Sequence, residues 1–91
     1  MTQTTAQDVK RLHETVRSIV VQELEIEPHE LVETALFDED YDADSLSLLA
    51  IAARFEKELG LSIPNDRLGE MLSFEKVLLV VDEYSGRASH V

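Results

Sequence analysis

The chain changes character at Ser45. Upstream, FDEDYDAD (37–44) carries five carboxylates, at Asp38, Glu39, Asp40, Asp42 and Asp44, with no helical period, whereas SLSLLAIAARFEKELG (45–60) is helical in pattern throughout. Ser45 therefore opens a helix. Placed at about 100° per residue, that helix has two apolar faces instead of one. Leu48, Ile51, Ala52, Phe55 and Leu59 cluster on one side, and Leu46, Leu49, Ala50 and Ala53 cluster nearly opposite. A helix apolar on both sides is either central in a large protein or committed to a partner, and 91 residues are too few for the first. The first set is assigned to the core. The second, flanked by Glu56 and Lys57, is assigned to a docking surface.

The other elements follow from the same period. Thr5 and Asp8 form a capping pair, and Val9, Leu12, Val16, Ile19, Val20 and Leu24 recur at helical spacing until Pro28 forbids continuation. Glu25 to Asp44 is a loop of about 20 residues, long enough to need a purpose. Leu31, Val32, Leu36, Phe37 and Tyr41 can pin it to the core, with a short turn of helix near Val32. After Gly60, Pro64 breaks the chain, and Asn65 or Asp66 caps a short segment carrying Leu68, Met71 and Leu72. Ser73 caps the last helix; Phe74, Val77, Leu78, Val81 and Tyr84 line one face of it, and Ser85-Gly86 ends it. The expected fold is all-α: a small four-helix bundle of three long helices and one short, with a long loop between the first and second. Residues 6–84 form its single domain, between a disordered N-terminus (1–5) and a flexible tail (85–91).

Composition excludes several functions. Ninety-one residues bury only about 60% of the unfolded chain's surface, so a modest core must do all the stabilising. Nineteen acids against 8 bases give a formal charge of −11, which repels nucleic acid and anionic membrane and attracts basic protein surfaces. With no cysteine there is no disulfide, thiolate nucleophile or zinc knuckle. The N-terminus lacks the apolar core of a signal peptide, and no apolar run is long enough to span a membrane, so a cytoplasmic location is expected. The acids at 38, 40, 42 and 44 alternate as in a calcium loop, but Ala43 stands at the glycine position and Leu49 at the closing glutamate. No metal is expected. His13, His29 and His90 lie far apart, and Ser45 has no evident base, so catalysis is not expected either. Glu23, Glu25 and Glu33 read as a solvated surface.

A serine at the start of a helix has a particular chemistry. The first backbone N–H groups lack intrahelical partners and carry the positive end of the dipole, so a phosphate esterified to Ser45 would sit in a favourable field. Asp-Ser-Leu alone occurs by chance in roughly one chain of this length in thirty. DADSLSLL (42–49) followed by Ile63-Pro64 is more specific. Together they resemble the acyl carrier protein family, whose G-x-D-S-L signature surrounds the serine that receives 4′-phosphopantetheine and is followed by Ile-Pro at this spacing. The resemblance covers about residues 6 to 84 and includes the order of elements. It implies that Ser45 is the attachment residue, that Asp44 helps a modifying transferase hold its metal, and that Leu46 is a docking leucine. Asp42 stands where the family usually has glycine, which makes the turn before Ser45 less permissive.

The resemblance further implies a non-catalytic carrier that holds acyl groups as thioesters on the arm and presents them to separate enzymes. Its partners would be a phosphopantetheinyl transferase and a ketosynthase, acyltransferase and tailoring enzymes, met through Leu46, Leu49, Ala50, Ala53 and Glu56, with Asp44 at the rim. A free-standing, monomeric type II carrier is expected. Peptidyl carriers usually show Gly-Gly-x-Ser-Leu, against Asp-Ala-Asp-Ser-Leu here, and a further alternative is an unmodified acidic adaptor in which Ser45 is an ordinary N-cap. Fatty-acid carriers typically have acids at positions that here read Ser47, Ala50 and Lys57. SLSLLAIAARFEKELGLSIPND (45–66) is instead similar to carriers of aromatic polyketide synthases, with their Ala-Ala-Arg and Ser-Ile-Pro strings, so a polyketide or other specialised product is favoured over fatty acid.

Overall fold

A computed structural model of the chain describes residues 6–85. Its first helix, α1 (Ala6–Leu24), runs to the expected end. The cap expected at Thr5 lies outside the described residues, as do residues 1–5, Gly86 and the remainder of the expected tail. Val16, Ile19 and Val20 are buried and Leu12 and Leu24 pack at the core's edge, the stripe that the period requires. Glu25 closes the helix with a left-handed φ of 58°, its N–H reaching Gln22 O at 3.2 Å and that of Ile26 reaching Val21 O at 3.2 Å. That closure ordinarily favours glycine.

The long loop is structured differently from the sequence expectation. No helical turn forms at Val32, which is exposed; instead Pro28 opens a 3₁₀ turn, Pro28–Glu30, and α2 (Phe37–Asp40) forms nearer the acidic run. Proline's fixed φ suits a first helical position, and the Asp40 carboxylate accepts from Leu36 N–H at 2.9 Å, fixing where α2 begins. Between them Tyr41 acts as a clasp: its hydroxyl donates to Glu30 O at 2.7 Å and accepts from Val32 N–H at 2.8 Å. Leu31 and Phe37 are buried and Tyr41 packs at their edge, but Val32 and Leu36 face outward and do not pin the loop. The loop is fastened to the last helix through Phe37 N–H, which donates to Leu72 O at 2.9 Å, and a β-bridge between Leu36 and Ser73.

α3 (Ser45–Leu59) buries Ile51, Ala52 and Phe55 against α1 and ends at Gly60, whose φ of 71° needs no Cβ. A 3₁₀ helix, Asn65–Glu70, spans from α3 to α4. Neither Asn65 nor Asp66 caps it. Pro64 occupies the cap without a side-chain bond, and the segment is held instead by Arg67, which pairs with Glu70 and Glu83 at 2.8 Å each. Leu68 and Met71 turn inward, whereas Leu72 turns out. α4 (Phe74–Tyr84) starts at Ser73 as expected and buries Phe74, Val77 and Val81, together with Val80, which the sequence reading left off this face. Three long helices and three short helical pieces thus enclose one core of Val16, Ile19, Ile51, Phe55, Met71 and Val77, each side chain contributing about 1.5–3 kcal/mol by leaving water. No strand occurs among the described residues.

Candidate functional site

Ser45 is the first residue of α3, and the residue before it does the capping. Asp44 is extended (φ −120°, ψ −173°), and its Oδ1 accepts from Ser47 N–H at 3.0 Å and from the Ser47 hydroxyl at 3.3 Å. The Ser47 N–H bond holds the Asp44 carboxyl below its ordinary value, against a smaller opposing effect of desolvation. Because the carboxylate takes the cap, the Ser45 hydroxyl is not needed for it. Ser45 is exposed and its hydroxyl makes no hydrogen bond among the described residues, so the alternative in which Ser45 is itself the N-cap does not hold.

The backbone reaches this junction through a strained residue. Asp42, standing where glycine was noted as usual, has a φ of 59°. Aspartate tolerates this region better than most residues, at a cost that glycine would avoid. Ala43 N–H then bonds Phe37 O at 3.1 Å, folding the acidic segment back on α2. The acids do not converge: Asp40 is used at the start of α2 and Asp44 at the start of α3. Among the described residues no group of three His, Asp or Glu could hold a metal ion. His13 lies away on α1, bonded to Asp82 of α4 at 2.8 Å.

Beside Ser45 opens a crevice of about 280 Å³, walled by Phe37, Ala43, Leu48, Met71 and Leu72, with Asp38 and Asp44 at its mouth. Sequence reading brought Ser45 and Asp44 together but missed these walls. The available signal was the adjacent apolar pair Met71-Leu72, of which Met71 is buried and Leu72 is 48% exposed. The outward face of α3 is as expected. Leu46 is 72% and Leu49 41% exposed, Ala53 and Glu56 are exposed, and Ala50 is half-buried. Glu23 is not merely solvated, since it shares Arg54 with Glu58, at 3.3 and 2.7 Å.

Residues 14–76 match the family model of the phosphopantetheine attachment site. An acyl carrier protein of Zymomonas mobilis is 35% identical over 71 residues, 78% of this chain and 91% of that protein. Polyketide-8 synthase acyl carrier protein 1 of Streptomyces avermitilis is 40% identical over 80 residues, 88% of this chain and 94% of its own length. An acyl carrier protein of Afipia carboxidovorans is 40% identical over 65 residues, 71% and 82% of the two chains. The chain belongs to the acyl carrier protein family.

It is thus a non-catalytic carrier of phosphopantetheine, and such a carrier works with a phosphopantetheinyl transferase and with synthase enzymes. No helix among the described residues is long and apolar enough to cross a membrane. Within the matched span the carrier has five serines, and their surroundings differ. Ser18 accepts from Gln22, Ser47 bonds Asp44, and Ser73 is buried and bonded to Lys76 N–H. Ser62 is exposed between the buried Leu61 and Ile63, away from any helix start. Ser45 alone among these five joins an exposed, unbonded hydroxyl to a helix N-terminus and an apolar crevice.

Proposed function

We propose that the carrier's arm is attached at Ser45 and that it serves a type II synthase of polyketide or other specialised products. The observation that carries the attachment is the division of labour at the start of α3: Asp44 holds the helix, leaving the Ser45 hydroxyl exposed and free to react. The residues suit the group chemically. A phosphate ester on Ser45 lies at the positive end of a helix of 15 residues. Asp44, kept ionised by Ser47 N–H, adds a second anionic oxygen donor beside it, a pair suited to a divalent cation in a transferase complex. When bound, phosphopantetheine supplies the thiol on which acyl groups are held as thioesters.

The chain's own residues supply the address. Leu46, Leu49, Ala50 and Ala53 form an apolar strip leading away from Ser45, with Asp44 and Glu56 as its acidic rim. Exposed leucines contribute little to the fold, so their role is in partner contact, where an anchor can contribute about 1–2 kcal/mol. The choice of pathway rests on the same face. Ser47, Ala50 and Lys57 stand where fatty-acid carriers typically have acids, and Arg54 is already satisfied by Glu58 and Glu23. Less negative charge on this strip reduces electrostatic steering toward basic fatty-acid enzymes. The extent of likeness to the polyketide carrier of Streptomyces avermitilis supports the same reading.

The test is a competition between a fatty-acid ketosynthase and a type II polyketide ketosynthase for the acylated carrier, followed by thioester consumption. Faster use by the polyketide enzyme is expected. Equal or better use by the fatty-acid enzyme overturns the pathway and leaves the carrier standing.

A further inference from the structure

We propose that Leu72 is a movable partition that sets how long an acyl chain this carrier can shelter, by dividing the crevice at Ser45 from a second groove on α4. The inference rests on attachment at Ser45. Leu72 lines both spaces: the crevice of about 280 Å³ beside Ser45, and a groove of about 400 Å³ running along α4 past Leu79 and Val80. Its backbone is fixed, because Leu72 O accepts from Phe37 N–H at 2.9 Å and the next residue, Ser73, is buried and bridged to Leu36. Its side chain is 48% exposed. A leucine anchored by its backbone and left half in water can change rotamer without disturbing the core, and such a change joins or separates the two spaces.

The two compartments differ in kind. Apart from Ser45 and the carboxylates of Asp38 and Asp44, the crevice is walled by apolar residues, among them the buried, flexible thioether side chain of Met71. The groove is lined by the buried Val80 and by Leu79, itself 60% exposed, but also by charged groups, Lys76 and Arg67 held between Glu70 and Glu83. An occupant reaching the groove through the crevice is therefore a chain whose first part is hydrocarbon and whose far end tolerates polar neighbours. The carried acyl chain has that access, because Ser45 lines the crevice. Short chains stop at Leu72, and longer ones displace it and lie along α4.

The experiment loads the full chain with butyryl, octanoyl, dodecanoyl and hexadecanoyl arms, using a transferase and the acyl-coenzyme A thioesters. Intact mass and peptide mapping first establish one arm, on Ser45; an arm elsewhere overturns the attachment reading itself, and the partition with it. Methyl resonances of Leu and Val are then compared with those of the unacylated arm-bearing protein. Butyryl should shift Leu48 and Leu72 and leave Leu79 and Val80 unmoved, whereas dodecanoyl and hexadecanoyl should shift all four. In L72A, octanoyl should already reach Leu79 and Val80. In L72W, dodecanoyl should be stopped at the crevice, leaving Leu79 and Val80 unmoved, and its thioester should react with hydroxylamine about tenfold faster, the change expected when about two methylenes fewer are withdrawn from water. With the arm confirmed on Ser45, a dodecanoyl chain that leaves Leu79 and Val80 unmoved, or Leu72 variants that reproduce the unsubstituted pattern, would overturn the partition.

Discussion

Helices α3 and α4 both start from an extended residue whose side chain accepts a hydrogen bond from the third backbone N–H of the helix, Asp44 from Ser47 and Ser73 from Lys76. They differ in what that choice leaves over. At α4 the serine is the cap: Ser73 is 4% exposed with its hydroxyl committed to the backbone, and the first helical residue, Phe74, is driven into the core beneath the Arg17 guanidinium at 5.7 Å. At α3 a carboxylate is the cap, and the first helical residue is Ser45, exposed with nothing to hold. A serine at a helix start is available for chemistry only where a neighbour has relieved it of capping. The relief brings a charge with it, so the α3 start responds to acid and the α4 start does not.

The largest expected difference is in modification. With coenzyme A and a transferase, S45A should gain no arm by intact mass, while S73A should be loaded at the normal site; an arm on S45A would reverse the roles of the two starts. Next comes the residue at the first helical position. Phe74→Ala should cost about 3–5 kcal/mol in denaturant unfolding, as large cavities in a core do, whereas S45A should leave the midpoint almost unchanged. The caps differ less. S73A should lose about 1–2 kcal/mol by urea titration, and a negligible loss would mean that the bridge to Leu36 and not the hydroxyl holds the start of α4.

The smallest effect concerns pH. Asp44 has a folded value below its ordinary 3.8, chiefly because Ser47 N–H stabilises the carboxylate. The unfolded chain therefore binds the proton first, so the contribution is complete above the unfolded value and is lost as pH falls through the lower folded one. Asp44→Asn should lower the acid sensitivity of thermal unfolding in that window, from about pH 4 downward, while S73A should shift stability equally at every pH. A parallel displacement of the two curves for Asp44→Asn would remove the titrating cap from the account.

Much of this comparison was legible in the residues. The period of α1, α3 and α4, the start at Ser45, the cap at Ser73 and the two faces of α3 are local properties, fixed within one or two turns of chain. What escaped depends on distant partners. At Val32 the chain makes a single turn, Ala35 N–H to Val32 O, and not a helix, and the Val32 N–H is met by Tyr41, nine residues on. Asp42 is left-handed because the acidic segment must return to Phe37 O. Leu72 faces outward because its carbonyl is fixed by Phe37, and Glu23 is paired because α3 brings Arg54 over α1. A single sequence records which residues are apolar and how they repeat, but not which distant backbone a hydroxyl or carbonyl will meet.

The bond from Phe37 N–H to Leu72 O and the bridge from Leu36 to Ser73 assign the acidic loop to a cooperative unit other than the one its position in the chain suggests. Although it runs directly into α3, residues 36 and 37 are stitched to the start of α4, so this part of the loop cannot lift away without exposing the buried Ser73 cap. Local opening there should therefore be coupled to fraying at the start of the last helix, which amide hydrogen exchange at Phe37 and Lys76 would read together. The wall beside Ser45 is thus tied through Phe37 to the start of the last helix, while Ser45 itself stands on a helix whose side-chain cap is one carboxylate.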